Sequence, residues 1–319
     1  MPKTNYDERE LKYISNATNF DDATSAFLAR ELNHIRATAL QAPKAPLNAF
    51  TVFPVMTDIP VGAETATQPI YDGVGVAQII SNYSDDLPRV DVYAEENVVK
   101  IYDVGLAYGY SDKEVQNAAF ARRSLSTMKA AQARRGVDVR LNEIAWKGDK
   151  AHNIIGFLNN ENITEYTLAA DGTGAKTALN TKTEKQVMRD INSFLESIPI
   201  ATNQVEQANT LALAPAAYAH LALTRLENSD RTLLDFVRQT HPELTRILKI
   251  GELKGAADDG TDLMVAGYFD PTYIRFEIPE RFIQKPVERR NLESVVNCVA
   301  STAGVSVFIP MAFAKAKGC

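Results

Sequence analysis

Little in this sequence can do covalent or metal chemistry: its 319 residues include two cysteines, four histidines and one tryptophan. Cys298 and Cys319 cannot build a disulfide framework, so the fold must stand on its core, and a reducing compartment is the natural setting. Cys298 lies in an apolar run and reads as a core residue, whereas Cys319 reads as a mobile, exposed thiol. His34, His152, His220 and His241 are scattered, with neither an HExxH pair nor zinc-type Cys/His spacing. Each is expected at the surface or satisfied. A nucleophile elbow is missing too, because Gly304-Val-Ser306-Val-Phe308 lacks its closing glycine.

The glycine and aspartate clusters fail in the same way. In DGTGAKTA (171–178) an alanine separates Gly174 from Lys176, so no phosphate-binding loop forms. DGVGVAQ (72–78) lacks the third glycine of a dinucleotide fingerprint. ADDGTD (257–262) offers Asp258, Asp259 and Asp262 without the alternation and distal glutamate of a calcium loop. No catalytic, cofactor-binding or metal site is expected. Ser294 to Ala314 carries no charge, but Asn297, Thr302, Gly304 and Pro310 interrupt it and valine dominates, so it reads as buried strands and no membrane contact is expected. The charged start, MPKTNYDERELKY, has no secretory apolar region.

What the sequence does have is geometry. Hydrophobic residues make up 45% and charged residues 23%, enough for about two globular domains. The net charge of −6 argues against a general coating of nucleic acid. Helical pieces are expected over 7–14 and 22–39, followed by the proline-dotted QAPKAPLNAFTVFPV. Residues 62–103 read as a long β-hairpin, with strands at 74–80 and 89–104 flanking the turn formers SNYSDDLP. That segment holds eight acidic residues against Arg89 and Lys100, a net charge of −6. Val104 to Tyr110 alternates large and small residues, as a strand with one bare face would. Ser111 to Glu114 is a capping box opening one helix to Lys147, which at 1.5 Å per residue would be roughly 50 to 55 Å long. Through Asp149 that stretch carries eight basic and five acidic residues, a balance of +3. An α/β region follows, with a capping box at Thr183–Gln186, Pro215 opening a helix, a short helix at 233–239, and strands at 245–250, 263–269 and 273–278.

This order of parts resembles the major capsid proteins of tailed bacteriophages, the Hong Kong 97-type fold shared with encapsulin shells. The helix ending NEIAWKGDKAHNIIGFLNN carries the most local likeness, since Gly148-Asp149 and Gly156-Phe157-Leu158-Asn159 stand where that family closes its spine helix. The resemblance implies an α+β fold with an N-terminal arm (1–61), an E-loop hairpin (62–103), a peripheral domain with the spine helix (104–159), an axial domain (160–286) and return strands of the peripheral domain (287–319). Trp146, Gly148 and Gly156 would form the hinge between the two domains. The implied work is self-assembly of pentamers and hexamers into an icosahedral head that encloses double-stranded DNA without reading its sequence. It is not catalysis. Its partners would be a portal, decoration proteins and, since only about 60 residues precede the hairpin, a separate scaffolding protein; its place would be the virion, after assembly in the host cytoplasm. An encapsulin-like shell and, more remotely, a soluble α/β enzyme are the alternatives. Contact between subunits is expected where the acidic hairpin (Asp85, Asp86, Asp91, Glu95, Glu96) meets a neighbour's basic helix (Arg122, Arg123, Arg134, Arg135).

Overall fold

The computed structural model describes residues 43–74, 89–121, 125–174, 176–227 and 230–319. The two helices expected before residue 40 and the hairpin tip at 75–88 lie outside the described residues. Pro46 to Cys319 forms one compact unit. It opens with a one-turn helix α1 (Ala49–Val52) and a short strand β1 (Val55–Met56), followed by the hairpin strands β2 (Thr65–Val74) and β3 (Asp91–Lys100). The expected strand at 74–80 lies, apart from Val74, outside the described residues; the described part of the outgoing strand is 65–74. Its Thr, Gln, Pro, Asp and Gly hide it from a propensity reading, because neither face of this ribbon belongs to a core.

Strand β4 (Tyr102–Ser111) leads through the Ser111 capping box into α2 (Asp112–Phe120); Glu114 N–H donates to Ser111 Oγ at 3.2 Å, and Ser111 N–H to Glu114 Oε2 at 3.1 Å. The expected unbroken helix to Lys147 is corrected here. Helix α2 is capped at Ala121, whose N–H donates to Asn117 O at 2.9 Å, and a second helix, α3, runs over Leu125–Lys147. At 1.5 Å per residue its 23 residues span about 34 Å. No proline or glycine marks the break. Residues 122–124 between the two helices lie outside the described residues, and among the described residues burial begins at Ala133 and continues at Val137, Leu141, Ile144 and Ala145, one stripe of helical spacing. Upstream Val115, Phe120 and Met128 are exposed.

The chain then turns sharply through β5 (Gly148–Asp149) and β6 (Ile154–Ile155), which pair antiparallel. A Cβ on Gly148 would lie 2.2 Å from Ile154 O, and one on Gly156 would lie 2.1 Å from Gly148 N, so only glycine permits this backbone contact. Phe157 and Leu158 N–H groups cap the end of α3 by donating to Ala145 O and Trp146 O at 3.0 and 2.9 Å.

Beyond it come β7 (Thr164–Thr167), α4 (Glu184–Ala201), β8 (Thr210–Leu213), α5 (Pro215–Leu223), α6 (Leu233–Thr240), β9 (Arg246–Lys249) and β10 (Leu263–Gly267). They are followed by β11 (Ile274–Glu277), β12 (Glu280–Gln284), β13 (Glu288–Arg290), β14 (Glu293–Thr302), β15 (Gly304–Val307) and β16 (Phe313–Lys317). A five-stranded sheet has the order β7-β16-β10-β8-β9. Alternate residues feed two cores: Ala212, Val265 and Phe313 face α3 and α1, while Leu211, Met264 and Ala314 face α4, α5 and α6. Strands covered on both faces read as continuous apolar runs, which is why β8 shows no alternation. Helix α4 supplies Val187, Ile191, Phe194, Leu195 and Ile198 to the second core.

A second sheet joins β12, β14 and β13, with β4 pairing along all ten residues of β14 from Tyr102↔Thr302 to Ser111↔Glu293. The uncharged C-terminal run is thus strand, as expected, but it divides between sheets. Strand β14 lies beside β4, whereas β16 is in the five-stranded sheet between β7 and β10. Cys298 is buried, and burial pushes its thiol pKa up. Cys319 corrects its expectation: it is half-buried against the second core, with its N–H donating to Asp262 O at 3.2 Å, because the strand that precedes it carries it inward.

Two polar groups fasten these parts. Asn142, buried on α3, accepts Ala49 N–H at 2.9 Å and donates to Glu252 Oε1 at 3.0 Å; Asn48 Nδ2 donates to Glu252 Oε2 at 2.6 Å. Lys182, buried beneath α4, donates to Asp190 and, at 2.6 Å, to Ala169 O. Removing one member of such a set strands its partners without water. Asn142→Leu is therefore expected to destabilise the protein by about 2 to 4 kcal/mol, read as a lower denaturant midpoint at unchanged slope. Trp146 separates packing from polarity, because its Nε1 has no hydrogen-bond partner among the described residues. Trp146→Ala is expected to cost about 3 to 5 kcal/mol, and Trp146→Phe only about 1 to 2, in the same denaturation measurement.

Candidate functional site

With no chemistry expected, the surface that stands out is the β2–β3 ribbon. Ten antiparallel pairs run from Thr65↔Lys100 to Val74↔Asp91. At the root, the face bearing Ala66, Gln68, Asn97 and Val99 is half-buried against the body. Farther out the ribbon is open on both faces, with Tyr71 at 71% exposure, Val92 at 66% and Tyr93 at 64%. A lone two-stranded ribbon is marginally stable in water, and aromatic and valine side chains clustered on one mark a surface to be covered. Its acids share the position: Asp91 and Glu95 point to the face of Tyr93, and Glu96 to that of Tyr71. All three are exposed and make no ion pair among the described residues. Asp85 and Asp86 lie outside the described residues.

The basic helix is less uniform than its charge suggests. Lys129 Nζ is tied back to Gly109 O at 2.7 Å and Glu114 Oε2 at 3.1 Å. Arg140 bridges Glu143 at 3.1 Å and Asp149 at 2.6 Å. Asp149 also accepts from His152 at 3.0 Å; the His152 hydrogen bond, more than any other influence, holds the Asp149 carboxyl below the ordinary range, with Ala151 N–H and the Arg140 charge adding to it. Arg134 is exposed and Arg135 half-buried; Arg122 and Arg123 lie outside the described residues. Arg134, Asp138 and Arg281 line a groove of about 600 Å³ whose apolar wall includes Phe50, Phe53 and Phe282. Burial pushes the Asp138 carboxyl pKa up, against the opposing pull of Arg134 and Arg135. Arg281 was not singled out by the sequence, and neither were Asn48, Asn142 and Glu252. Single polar residues inside apolar patterns carry no local signal.

The places that could have held chemistry are occupied structurally. Asp258 reaches Lys317 at 3.5 Å, Asp259 accepts Thr261 N–H at 3.0 Å, and Asp262 accepts Gly255 N–H at 2.8 Å. His241 is buried between Glu243 and Asn192, at 2.8 and 3.0 Å. Among the described residues, no three His, Cys, Asp or Glu side chains are placed to hold a metal. No described helix is long and apolar enough to cross a membrane. Trp146, Gly148 and Gly156 do come together, at the sharp turn that ends α3.

Comparison with known proteins accounts for a subunit built this way. The fold matches the capsid of Myoviridae phage XM1 at 15% identity and TM-score 0.79, over 93% of this chain and 100% of that one. The Mycobacterium phage Bobi structure matches at 13% identity and TM-score 0.61, over 91% of this chain and 96% of that one. The virus-like particle from Pyrococcus furiosus is more distant, at 14% identity and TM-score 0.52 over 84% and 91%. No curated protein matches the sequence. The family model described as major capsid protein matches residues 75–319, from the hairpin tip through the last strand. The chain belongs to the major capsid protein family, the coat proteins of phage heads.

Proposed function

We propose that copies of this subunit close into an icosahedral head around double-stranded DNA, with the acidic hairpin of one copy lying across α3 and the Arg134–Arg281 groove of the next. The observation that carries this is the ribbon itself: Tyr71, Val92 and Tyr93 are exposed beside Asp91, Glu95 and Glu96, with nothing among the described residues to cover them. Covering them with a neighbour buries apolar area at about 25 cal/mol per Å². The carboxylates supply register more than strength, since an exposed pair is worth about 1 kcal/mol at most. Repetition around a closed shell makes such contacts cooperative. Val115 and Phe120 on α2 and Met128 on α3, all exposed, offer more of the same surface.

In this reading pentamers and hexamers are held by hairpin–helix contacts, a portal occupies one vertex, and a separate scaffolding protein and decoration proteins are the remaining partners. The finished place is the virion, reached by assembly in the host cytoplasm, and none of this needs catalysis. A net charge of −6 suits a container from which DNA must leave, because a strongly basic lining would hold the genome in a salt-dependent grip.

Arg134→Glu combined with Arg135→Glu is expected to leave the far-ultraviolet circular dichroism of the subunit unchanged and to lower shell yield at least about tenfold by negative-stain counting. The wild-type hairpin contact is expected to weaken as salt rises from about 0.1 M to about 1 M, where the screening length falls from about 10 Å to about 3 Å. Shells at normal yield from the double variant would overturn the proposed contact. Tyr93→Ser with Val92→Ser tests the apolar half of the interface: the variant should fold normally yet remain as unassembled subunits on size exclusion.

A further inference from the structure

Beneath the root of the ribbon lies a small polar cavity of about 120 Å³. Gln68 and Asn97 line it from the ribbon, and Asp58, Arg275, Glu277 and Ser306 from the body. Arg275 and Glu277 are two residues apart on β11 and share a face, and Ser306 sits directly opposite Arg275 on β15. Glu277 is only 6% exposed, and its Oε2 and the Ser306 Oγ have no hydrogen-bond partner among the described residues. Arg275 is heavily used. Its Nε donates to Pro271 O at 2.6 Å, its guanidinium lies 5.2 Å over the Phe308 ring, and its Nη1 reaches Gln68 Oε1 on the ribbon at 3.4 Å.

We propose that Glu277 and Gln68 compete for Arg275, so that the protonation of Glu277 decides whether the ribbon root is latched to the body. As a neutral acid Glu277 carries no charge to compensate, leaving Arg275 to Gln68. As a buried carboxylate it is costly unless paired, and a guanidinium on the same strand face binds a carboxylate more strongly than it holds the neutral Gln68 amide at 3.4 Å. Gln68 then loses its donor, water enters the polar cavity, and the root lifts. Burial favours the neutral form, Ser306 and Arg275 oppose it, and Asp58 facing the cavity from the β1–β2 loop adds to it. Among the described residues the ribbon itself contributes neutral Gln68 and Asn97 to this cavity. The sign is therefore fixed: the Glu277 carboxyl titrates above the ordinary value, the root is latched below that pH, and it is released above it.

The latch would set the angle at which the ribbon is offered to a neighbouring copy. That consequence rests on the proposed assembly contact, but the latch itself can be read on the free subunit. The test is hydrogen exchange on the full-length, unassembled protein from about pH 5 to about pH 8, corrected for intrinsic rates, following amides of residues 65–68 and 97–100. Protection is expected to fall about tenfold as pH rises in the wild type, to stay high throughout in Glu277→Gln, and to be low at every pH in Gln68→Ala. An unchanged pH profile in Glu277→Gln, or pH-independent protection in the wild type, would overturn the proposal. Should Glu277→Gln not fold, a pH step that survives in Gln68→Ala would overturn it equally. Neither readout depends on the Arg134 and Arg135 variants, so failure of the latch and failure of the assembly contact are distinguishable.

Discussion

Five aromatic rings from five separate stretches of chain meet in one place, and the subunit is organised around them. Phe53 comes from the residue after α1, Trp146 from the last turn of α3, Phe157 from the turn after β6, Phe269 from the loop after β10, and Phe313 from the start of β16. Phe53 and Trp146 lie 4.9 Å apart between centroids, and Phe157 meets Phe313 edge-on at 5.7 Å. Such tilted and edge-on pairs combine large apolar burial with a preferred geometry. The cluster can close only because Gly148 and Gly156 let two backbones touch, which brings Phe157 back under Trp146. The polar set of Asn48, Asn142 and Glu252 then holds the start of α1 to the same place.

Away from that junction the structure spends its polar groups unevenly. Lys182, Lys315, Arg140 and Lys129 are satisfied within the chain by carboxylates and carbonyls. The acids of β3 are left to solvent, as are the tyrosines beside them. Among the described residues the cores are complete, whereas the outer ribbon and the apolar residues of α2 are exposed. A coat protein needs that division: folding must not wait for neighbours, yet neighbours must find unsatisfied surface.

The sequence alone made much of the fold legible. Both capping boxes, the Pro215 helix and strands β9, β10 and β11 were readable, because each rests on a local rule about hydrogen bonds or periodicity. The two glycines at the turn after α3 were readable through the resemblance, and a Cβ at either one shows why they are needed. What could not be read depended on distant partners. The end of α2 at Ala121 has no proline or glycine to announce it. Strand β2 looks like loop because it pairs without a core beneath it, and β8 looks like nothing in particular because it is covered on both sides. The candidate interface was legible as charge: an acidic segment and a basic one. The groove, Arg281 and the cavity around Glu277 were not, because each is made by elements far apart in the chain.

The position of β16 has a consequence for timing. Strand β7, at residues 164–167, pairs in parallel with residues 314–317, and β10 completes the other side of the same strand. Until residues 313–317 have left the ribosome, the sheet has a gap between β7 and β10, and Phe313 is missing from the aromatic junction. Contacts of such long sequence separation close late and slowly. A nascent chain can therefore display its hairpin well before it owns a finished body.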